Sequence, residues 1–429
     1  MGISSFIANR LNATGSQFGF TKIIVRIAAA SIAIGVSTMI ISSALIQGFK
    51  GEIHQKIFGF WGHIHVTNIN SGRNFELKAL EVTDSLLLEL RDIKEVHMNL
   101  QEDIKDTPFM IQSRGGITEA HRFLILPGLL EHKSAFEAIL FKGLDQEIKN
   151  SSIGSFLVEG RLPRIESDSM SSEIMVSRII ASKLNIPIGK PVIVSFVKDQ
   201  SRIKRKFEVV GIYNTGLEEY DKRFIVGDLR KLQQFLQWAP NEVSGVEISL
   251  AHPEDMDMIS AFLYSEVLPL DAISETIRER FPSIFDWLEL QNINEKVILR
   301  LMALVGIINM ITVLLILILE RTPMIGILKA LGASDWQIQK IFLVQGAYII
   351  FWGQLIGNVL GLGLCYAQET FGFIKLDEAN YYLDTAPISI QFAQVASINI
   401  GAFLITFIFL LLPSYLVTRI KPVKALKFS

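Results

Sequence analysis

Residues 320–334 read ERTPMIGILKALGAS and lie between two long apolar segments of the chain. The run predicts a short helix with both ends specified: Thr322 is placed to cap its start, Pro323 suits the first helical position, and Gly332 suits a left-handed position after its end. Ser334 then begins a capping-box pattern for a following helix. Apolar side chains recur at helical spacing and form one stripe, made of Met324, Ile327, Leu328 and Leu331. Such a helix offers a surface that a soluble partner can bind.

The composition indicates a membrane protein with a sizeable polar part. The 429 residues are 50% hydrophobic and 20% charged, and their mean hydropathy is +0.37. This balance predicts a few membrane spans joined to a large domain outside the bilayer. The net charge of −2 provides no basic field for nucleic acid. The single cysteine, Cys365, lies in an apolar stretch, so the sequence favours neither a disulfide framework nor a Cys/His metal site.

Four segments are long and apolar enough to cross a bilayer, with predicted bounds of 23–49, 296–319, 341–366 and 394–418. Lys and Arg, without acidic residues, precede the first segment and follow the fourth, whereas the connection before the fourth is mainly acidic. The positive-inside rule therefore predicts that both termini are cytoplasmic. The predicted cytoplasmic segments are 1–22, 320–340 and 419–429, and the predicted outer segments are 50–295 and 367–393.

The outer segment 50–295 mixes short strand patterns with helical ones. Helices are predicted at 85–91, 178–184 and 229–238, and strands at 63–66, 173–176, 192–197, 206–213, 224–226 and 246–250. The predicted class is α+β: a membrane protein of four transmembrane helices with a large mixed α/β domain inserted between the first and second spans. His63 and His65 are interpreted as packing residues or as metal ligands, and the lack of a third ligand pattern favours packing.

Within the membrane, Gly353, Gly357 and Gly361 repeat every four residues on the third span. Small residues at this spacing let helix backbones approach closely, so they predict tight packing within the chain or against a second subunit. The polar residues at membrane depth are predicted to hydrogen-bond between helices, with a substrate path as the alternative: Asn309, Gln345, Gln354 and Asn358.

The sequence contains no GxxxxGK[ST] run, which is the phosphate cradle of a P-loop ATPase. Energy for any transport work would therefore come from a separate chain, and the predicted helix 323–331 is the natural contact. The predicted coupling residues are Glu320, Arg321, Met324, Gly326, Ile327, Leu328, Lys329, Leu331 and Gly332.

These features together resemble the MacB/FtsX superfamily of ABC-type permeases, in which one span, a large periplasmic domain and three further spans follow one another. Run 320–334 is similar to the superfamily's cytoplasmic coupling helix, and run 413–426 to its C-terminal signature. Within the superfamily the likeness is to the LolC/LolE type. It is carried by three stretches: 47–52 with the following His63-Ile64, 210–221, and 381–387.

The resemblance implies a permease of the bacterial inner membrane that is not itself an enzyme and binds no cofactor. ATP and Mg would be used by a partner ATPase like LolD, and a second permease or a second copy of this chain would complete the assembly. Lipoproteins would leave the lipid bilayer for a periplasmic carrier like LolA. Candidate residues of a cargo path on the first span, with ordinary lipid contact as the alternative, are Met39, Ile40 and Leu45.

Two other functions stay open at this point. A MacB-like efflux permease or an FtsX-like regulator of cell-wall hydrolases belongs to the same superfamily. A membrane receptor that senses through its outer domain belongs to another class. Recovery of acylated proteins with the purified chain would discriminate lipoprotein release from both.

Overall fold

The computed structural model describes residues 19–71, 78–100, 109–133, 135–146, 152–166, 169–198, 201–377, 381 and 383–419. Most of the predicted N-terminal segment and of the C-terminal tail therefore lies outside the described residues. The chain divides into two compact units. We call residues 52–286 with 377–384 the sheet unit and the remaining described residues the helical unit.

The chain enters the sheet unit through helix α1 (Gly19–Trp61). The strands that follow are β1 (Ile64–Asn68), β2 (Leu80–Glu81), β3 (His97–Leu100), β4 (Phe109–Gln112), β5 (Ile117–His132), β6 (Ala135–Leu144), β7 (Leu157–Gly160), β8 (Glu173–Ser177), β9 (Pro191–Lys198), β10 (Ser201–Tyr213), β11 (Phe224–Asp228), β12 (Glu242–Val243), β13 (Gly245–Leu250) and β14 (Ala272–Thr276). The helices are α2 (Asp84–Asp92), α3 (Arg178–Leu184), α4 (Glu218–Asp221), α5 (Leu229–Leu236), α6 (Met256–Phe262) and α7 (Ile277–Arg280).

The main sheet has ten strands in the order β14-β1-β13-β5-β6-β11-β8-β10-β7, with β9 paired to both β10 and β5. Strands β5, β6, β11, β8, β10 and β9 thereby close into a ring. Pairs β6–β11 and β8–β10 are parallel, and the other pairs of the sheet are antiparallel. A closed ring leaves no free strand edges within it, so its interior forms a compact apolar core.

The best-predicted element of this unit is α3, whose bounds are those expected from the sequence. Ser177 caps its start by accepting a hydrogen bond from the backbone of Ile180, and Asn185 ends it in a left-handed conformation. The other predicted helices and strands are also present, with ends that shift by a few residues. The strands without a sequence prediction are β2, β3, β4, β5, β6, β7, β12 and β14.

The helical unit contains most of α1 and of α8 (Pro282–Glu320), followed by α9 (Thr322–Ala330), α10 (Asp335–Phe371), α11 (Phe392–Phe409), α12 (Leu411–Ser414) and α13 (Leu416–Arg419). Among the described residues, four helices are long and apolar enough to span a membrane, as predicted. Helices α1 and α8 exceed their predicted spans because both continue into the sheet unit. The last turns of α1 place four apolar side chains in the sheet unit's core: Ile53, Ile57, Phe60 and Trp61.

Polar side chains join the helices of this unit. Asn309 of α8 donates a hydrogen bond to Ser31 of α1. Asn358 of α10 and Asn399 of α11 exchange reciprocal amide hydrogen bonds of 2.7 and 2.8 Å, and Gln354 donates to the Asn399 carbonyl at 2.9 Å. These bonds satisfy polar groups at membrane depth, so the predicted interhelical role is confirmed for Asn309, Gln354 and Asn358.

Candidate functional site

The start of α9 differs from its prediction. Arg321 takes the N-cap position without a side-chain cap, and Thr322 is already the first helical residue. The Thr322 hydroxyl donates to the carbonyls of Leu319 at 2.8 Å and Ile318 at 3.2 Å. The prediction that Thr322 is the N-cap is therefore wrong, because Thr322 lies inside the helix and its hydroxyl donates to the last carbonyls of α8. Pro323 is therefore the second helical residue rather than the predicted first, although it still lies in the first turn.

The end of α9 follows its prediction closely. Gly332 has φ +90°, its N–H donates to Lys329 O at 3.1 Å, and the next N–H, that of Ala333, donates to Leu328 O at 2.9 Å. This pair of bonds is a Schellman motif, which needs a left-handed residue and therefore favours glycine. Ser334 and Gln337 then form the predicted capping box at the start of α10. The turn between α9 and α10 is thus fixed by its own hydrogen bonds.

The predicted apolar stripe of α9 is divided between two environments. Ile325 and Gly326 are buried, and Met324 and Leu328 pack on the apolar core of the helical unit. Ile327 is 51% exposed and Leu331 is 79% exposed. The prediction of a single stripe with one common face is wrong, because the side that the chain itself covers centres on Ile325. Trp336 at the start of α10 is also exposed. We call Ile327, Leu331 and Trp336 the open apolar face.

Lys329, one of the predicted coupling residues, makes contacts within its own chain. Its ammonium donates to Val417 O at 2.9 Å and Thr418 O at 3.2 Å, and it pairs with Asp335 Oδ1 at 2.8 Å. These contacts tie α9 to α13 and to the start of α10. The two remaining predicted coupling residues, Glu320 and Arg321, are half-buried at the junction of α8 and α9.

The three glycines of α10 lie against α1. A Cβ at Gly353 would stand 2.8 Å from Ile32 Cβ, one at Gly357 would stand 2.7 Å from Ala33 O, and one at Gly361 would stand 3.2 Å from Ser37 Cα. Contacts below about 3 Å force a neighbour to shift, so any side chain at the first two positions separates the helices. Within the chain, these glycines allow the backbones of α10 and α1 to approach.

The candidate cargo residues have mixed surroundings. Met39 and Ile40 are buried in the apolar core of the helical unit, and Leu45 is half-buried. Ile40 also contacts the α10 backbone at Gly361. In this conformation Met39 and Ile40 contact other helices of the same chain, so they would line a cargo path only after α1 moves. The cargo path stays a prediction.

Sequence reasoning missed Glu295, which it assigned to the end of the outer segment. Glu295 lies on α8, is 8% exposed, and accepts hydrogen bonds from side chains of two other helices. Ser43 Oγ donates to Oε1 at 2.6 Å, Gln394 Nε2 donates to Oε1 at 2.9 Å, and Gln47 Nε2 donates to Oε2 at 3.3 Å. The available signal was a lone acidic residue at the edge of an apolar helix, where ionisable groups often mark functional sites.

The sheet unit holds the end of α1 through a buried ion pair. Lys142 of β6 has a fully buried side chain; it donates to Phe60 O and pairs with Glu247 Oε1 at 2.8 Å. Its ammonium stands 4.6 Å from the ring centroid of Trp61. Burial lowers the pKa of Lys142 and raises that of Glu247, while their mutual attraction opposes both shifts. The cation lies at a helix C-terminus, where the backbone carbonyls and the dipole favour positive charge.

Both candidate metal-binding histidines have packing roles, as the favoured interpretation predicts. His65 Nε2 stands 2.7 Å from Trp61 O, and burial holds the pKa of His65 well below its usual value, so the neutral ring donates this bond. His63 Nδ1 accepts from the Leu250 backbone at 3.1 Å, and its ring stacks on Phe58 at 4.3 Å. Within the described ranges, no group of three His, Cys, Asp or Glu is placed to hold a metal ion.

Comparisons with known proteins agree with this architecture. Residues 27–263 match the MacB-like periplasmic core domain, and residues 296–422 match the FtsX-like permease C-terminal family. Four membrane-spanning helices with the core domain between the first and second define a permease of an ABC transporter, which works with an ATPase partner and is not an enzyme itself.

Full-length relatives narrow the class. The chain is 24% identical to the lipoprotein-releasing system transmembrane protein LolC of Neisseria meningitidis serogroup B, over 100% of this chain and 99% of that protein. It is 22% identical to LolE of Haemophilus influenzae over 99% of both. Likeness to the macrolide export ATP-binding/permease protein MacB of Photorhabdus laumondii, 33% identical, covers 29% of this chain and 17% of that protein. The chain belongs to the LolC/LolE type of the MacB/FtsX superfamily.

Proposed function

We propose that this chain is the permease subunit of a transporter that extracts lipoproteins from the bacterial inner membrane and passes them to a periplasmic carrier. ATP hydrolysis by a separate subunit drives the extraction. The observation that carries the proposal is the open apolar face on α9, a helix whose turn into α10 is fixed by hydrogen bonds. The full-length likeness to permeases named for lipoprotein release supports the choice of substrate.

Helix α9 is built to transmit force. Arg321 is the one residue between α8 and α9, and the turn into α10 is closed by the Schellman motif and the capping box. Lys329 adds a link to α13 through two carbonyls. A partner that binds the open apolar face therefore pushes on a rigid corner rather than on a flexible loop, and the displacement reaches α8 and α10 directly.

The energetics of extraction explain the need for such coupling. Each acyl CH₂ resists transfer to water by about 0.8 kcal/mol, so a three-chain lipid anchor with about 45 methylenes resists by roughly 35 kcal/mol. Spontaneous release on that scale is negligible. A permease must couple release to external work and shelter the chains from water during transfer.

The proposed assembly contains an ATPase like LolD, which uses ATP and Mg, and either a second permease or a second copy of this chain. This chain itself binds no cofactor in the proposal. Lipoproteins enter from the lipid bilayer and leave on a carrier like LolA, and nucleic acid has no part. The termini and α9 face the cytoplasm, and the sheet unit faces the periplasm.

The test uses the assembly purified with its ATPase and reconstituted in liposomes with a labelled triacylated lipoprotein. Leu331→Asp places a charge on the open apolar face, and we expect it to reduce both ATPase recovery and ATP-dependent release by about tenfold. Leu270→Asp is the matched control, because Leu270 is a fully exposed leucine of the sheet unit. Undiminished release by Leu331→Asp would overturn the assignment of α9 as the coupling element.

A further inference from the structure

Glu295 joins three helices of the bundle at one place. The carboxylate belongs to α8, two of its donors, Ser43 and Gln47, stand one turn apart on α1, and the third, Gln394, lies in the first turn of α11. All three donors are neutral, and none of the ion pairs among the described residues includes Glu295. A buried carboxylate held in this way depends on each of its donors.

The same part of α1 is also held by the segment before α11. The backbone N–H of Ser389 donates to Ala44 O at 3.0 Å. A Cβ on Gly48 would stand 2.5 Å from Pro387 O, so the glycine permits this segment to lie directly on the helix. Residues 43–48 of α1 are therefore fixed on one side by Glu295 and on another by residues 387–389.

The chemistry of these contacts sets how strongly α1 resists separation from α8. Apolar contacts between helices resemble contacts with lipid tails, so they give little resistance when helices exchange neighbours in a bilayer. The Glu295 contacts differ, because a carboxylate that loses its donors in an apolar setting carries a large desolvation cost. We call the contact between α1 and α8 at Glu295 the seam. The two helices stay together at the seam until a larger force or a replacement hydrogen-bond donor separates them.

We propose that Glu295 is a positioning residue that latches α1 to α8 and α11, and that this latch must open for the permease to pass its acylated cargo. The inference rests on the proposed function and adds to it a specific barrier within the chain. ATP-driven movement of α9 reaches α8 through the single residue Arg321, so the helix that carries Glu295 is one of those that the ATPase moves. Opening the latch separates α1 from α8 and α11, whereas the close glycine contacts between α10 and α1 stay in place.

The first test locks the seam reversibly. In a Cys365→Ala background, which removes the chain's one cysteine, Ser31→Cys with Asn309→Cys is joined by a short cleavable bis-thiol reagent in the assembly with its ATPase. These two residues form a hydrogen bond between α1 and α8, so the link closes the seam and leaves Glu295 and its donors intact. The control, Asn358→Cys with Asn399→Cys, joins α10 to α11 and leaves the seam free. We expect the seam link to reduce release of a labelled triacylated lipoprotein by about tenfold, with recovery after cleavage and with ATP hydrolysis retained.

The second test weakens the latch without a cross-link. Glu295→Gln keeps the side-chain shape but replaces a charged acceptor with a neutral one, so α1 can separate from α8 before cargo is engaged. ATP hydrolysis is then spent on openings that carry no cargo, and we expect about fivefold fewer lipoproteins released per ATP hydrolysed. Release by the unlinked Cys365→Ala assembly establishes the proposed function independently. Full release from the linked seam, or an unchanged ratio in Glu295→Gln, overturns the latch while leaving that function intact.

Discussion

His63 illustrates how burial sets the chemistry of one residue. Its ring lies between Phe58 and the backbone of Leu250, and the pKa of His63 falls to about 4, mainly through burial and secondarily through the charge of His54. The neutral ring serves as a hydrogen-bond acceptor, a role that a protonated ring cannot fill. The sequence offered two interpretations of this histidine, and only the contacts made by the folded chain distinguish them.

Acid should destabilise the fold through this residue. The unfolded chain protonates His63 near pH 6.5, whereas the folded chain does so only near pH 4, so the contribution to stability is complete above pH 6.5 and falls as the pH drops towards 4. The loss amounts to about 3 kcal/mol. Thermal unfolding of the full chain in detergent between pH 7.5 and 4.5 measures it. His63→Asn should flatten this dependence relative to wild type and to the exposed control His252→Asn, and an equally steep curve would contradict the account.

At the scale of elements, helix α10 depends on the absence of side chains on one face. Gly357→Ala would place a methyl group 2.7 Å from the Ala33 carbonyl, whereas Gly363 on the same helix has no atom within 4 Å of its Cβ position. We expect Gly357→Ala to destabilise the bundle by about 1–3 kcal/mol. Gly363→Ala should be neutral or stabilising by up to about 1 kcal/mol, because alanine favours helices. Thermal inactivation in detergent compares the two, and equal effects would refute the packing argument.

Helix α3 and strand β5 differ in how well the sequence predicts them. Helix α3 was predicted with its bounds because its cap, Ser177, and its left-handed end, Asn185, are local signals. Strand β5 was missed because Pro127 and Gly128 interrupt its pattern and because it is buried on both faces near its centre. Its place is set by pairing with β6, which follows it directly, and with β9 and β13, which are distant in the sequence and which no local pattern encodes.

The sequence likewise predicts the local features of α9 and not the features that depend on other helices. Gly332 and Ser334 act within a few residues of their own positions, so the turn from α9 to α10 could be predicted from the sequence. Which side of α9 is covered depends on neighbouring helices, and this is why the stripe through Leu328 and Leu331 was misassigned. The role of Glu295 could not be predicted because its hydrogen-bond donors belong to α1 and α11, which are far from it in the sequence.

At the scale of the whole molecule, two long helices contribute residues to both units. Helices α1 and α8 run from the helical unit into the sheet unit without a break. Within the sheet unit, the last turn of α1 is held by Lys142, Glu247 and His65. These buried hydrogen bonds and the ion pair fix the last turn of α1 within the sheet unit.

The proposed function predicts that α9 is cytoplasmic and that the sheet unit is periplasmic. In a Cys365→Ala background, Leu331→Cys and Leu270→Cys place single thiols on exposed positions of α9 and of the sheet unit. With the outer membrane of whole cells permeabilised, an impermeant maleimide should label Leu270→Cys at once. Leu331→Cys should react only after the inner membrane is also opened. If the first span begins on the cytoplasmic face, the second span returns the chain to that face, and α9 follows the second span. Labelling of both positions in cells with an intact inner membrane would place α9 beyond the reach of any ATP-hydrolysing partner.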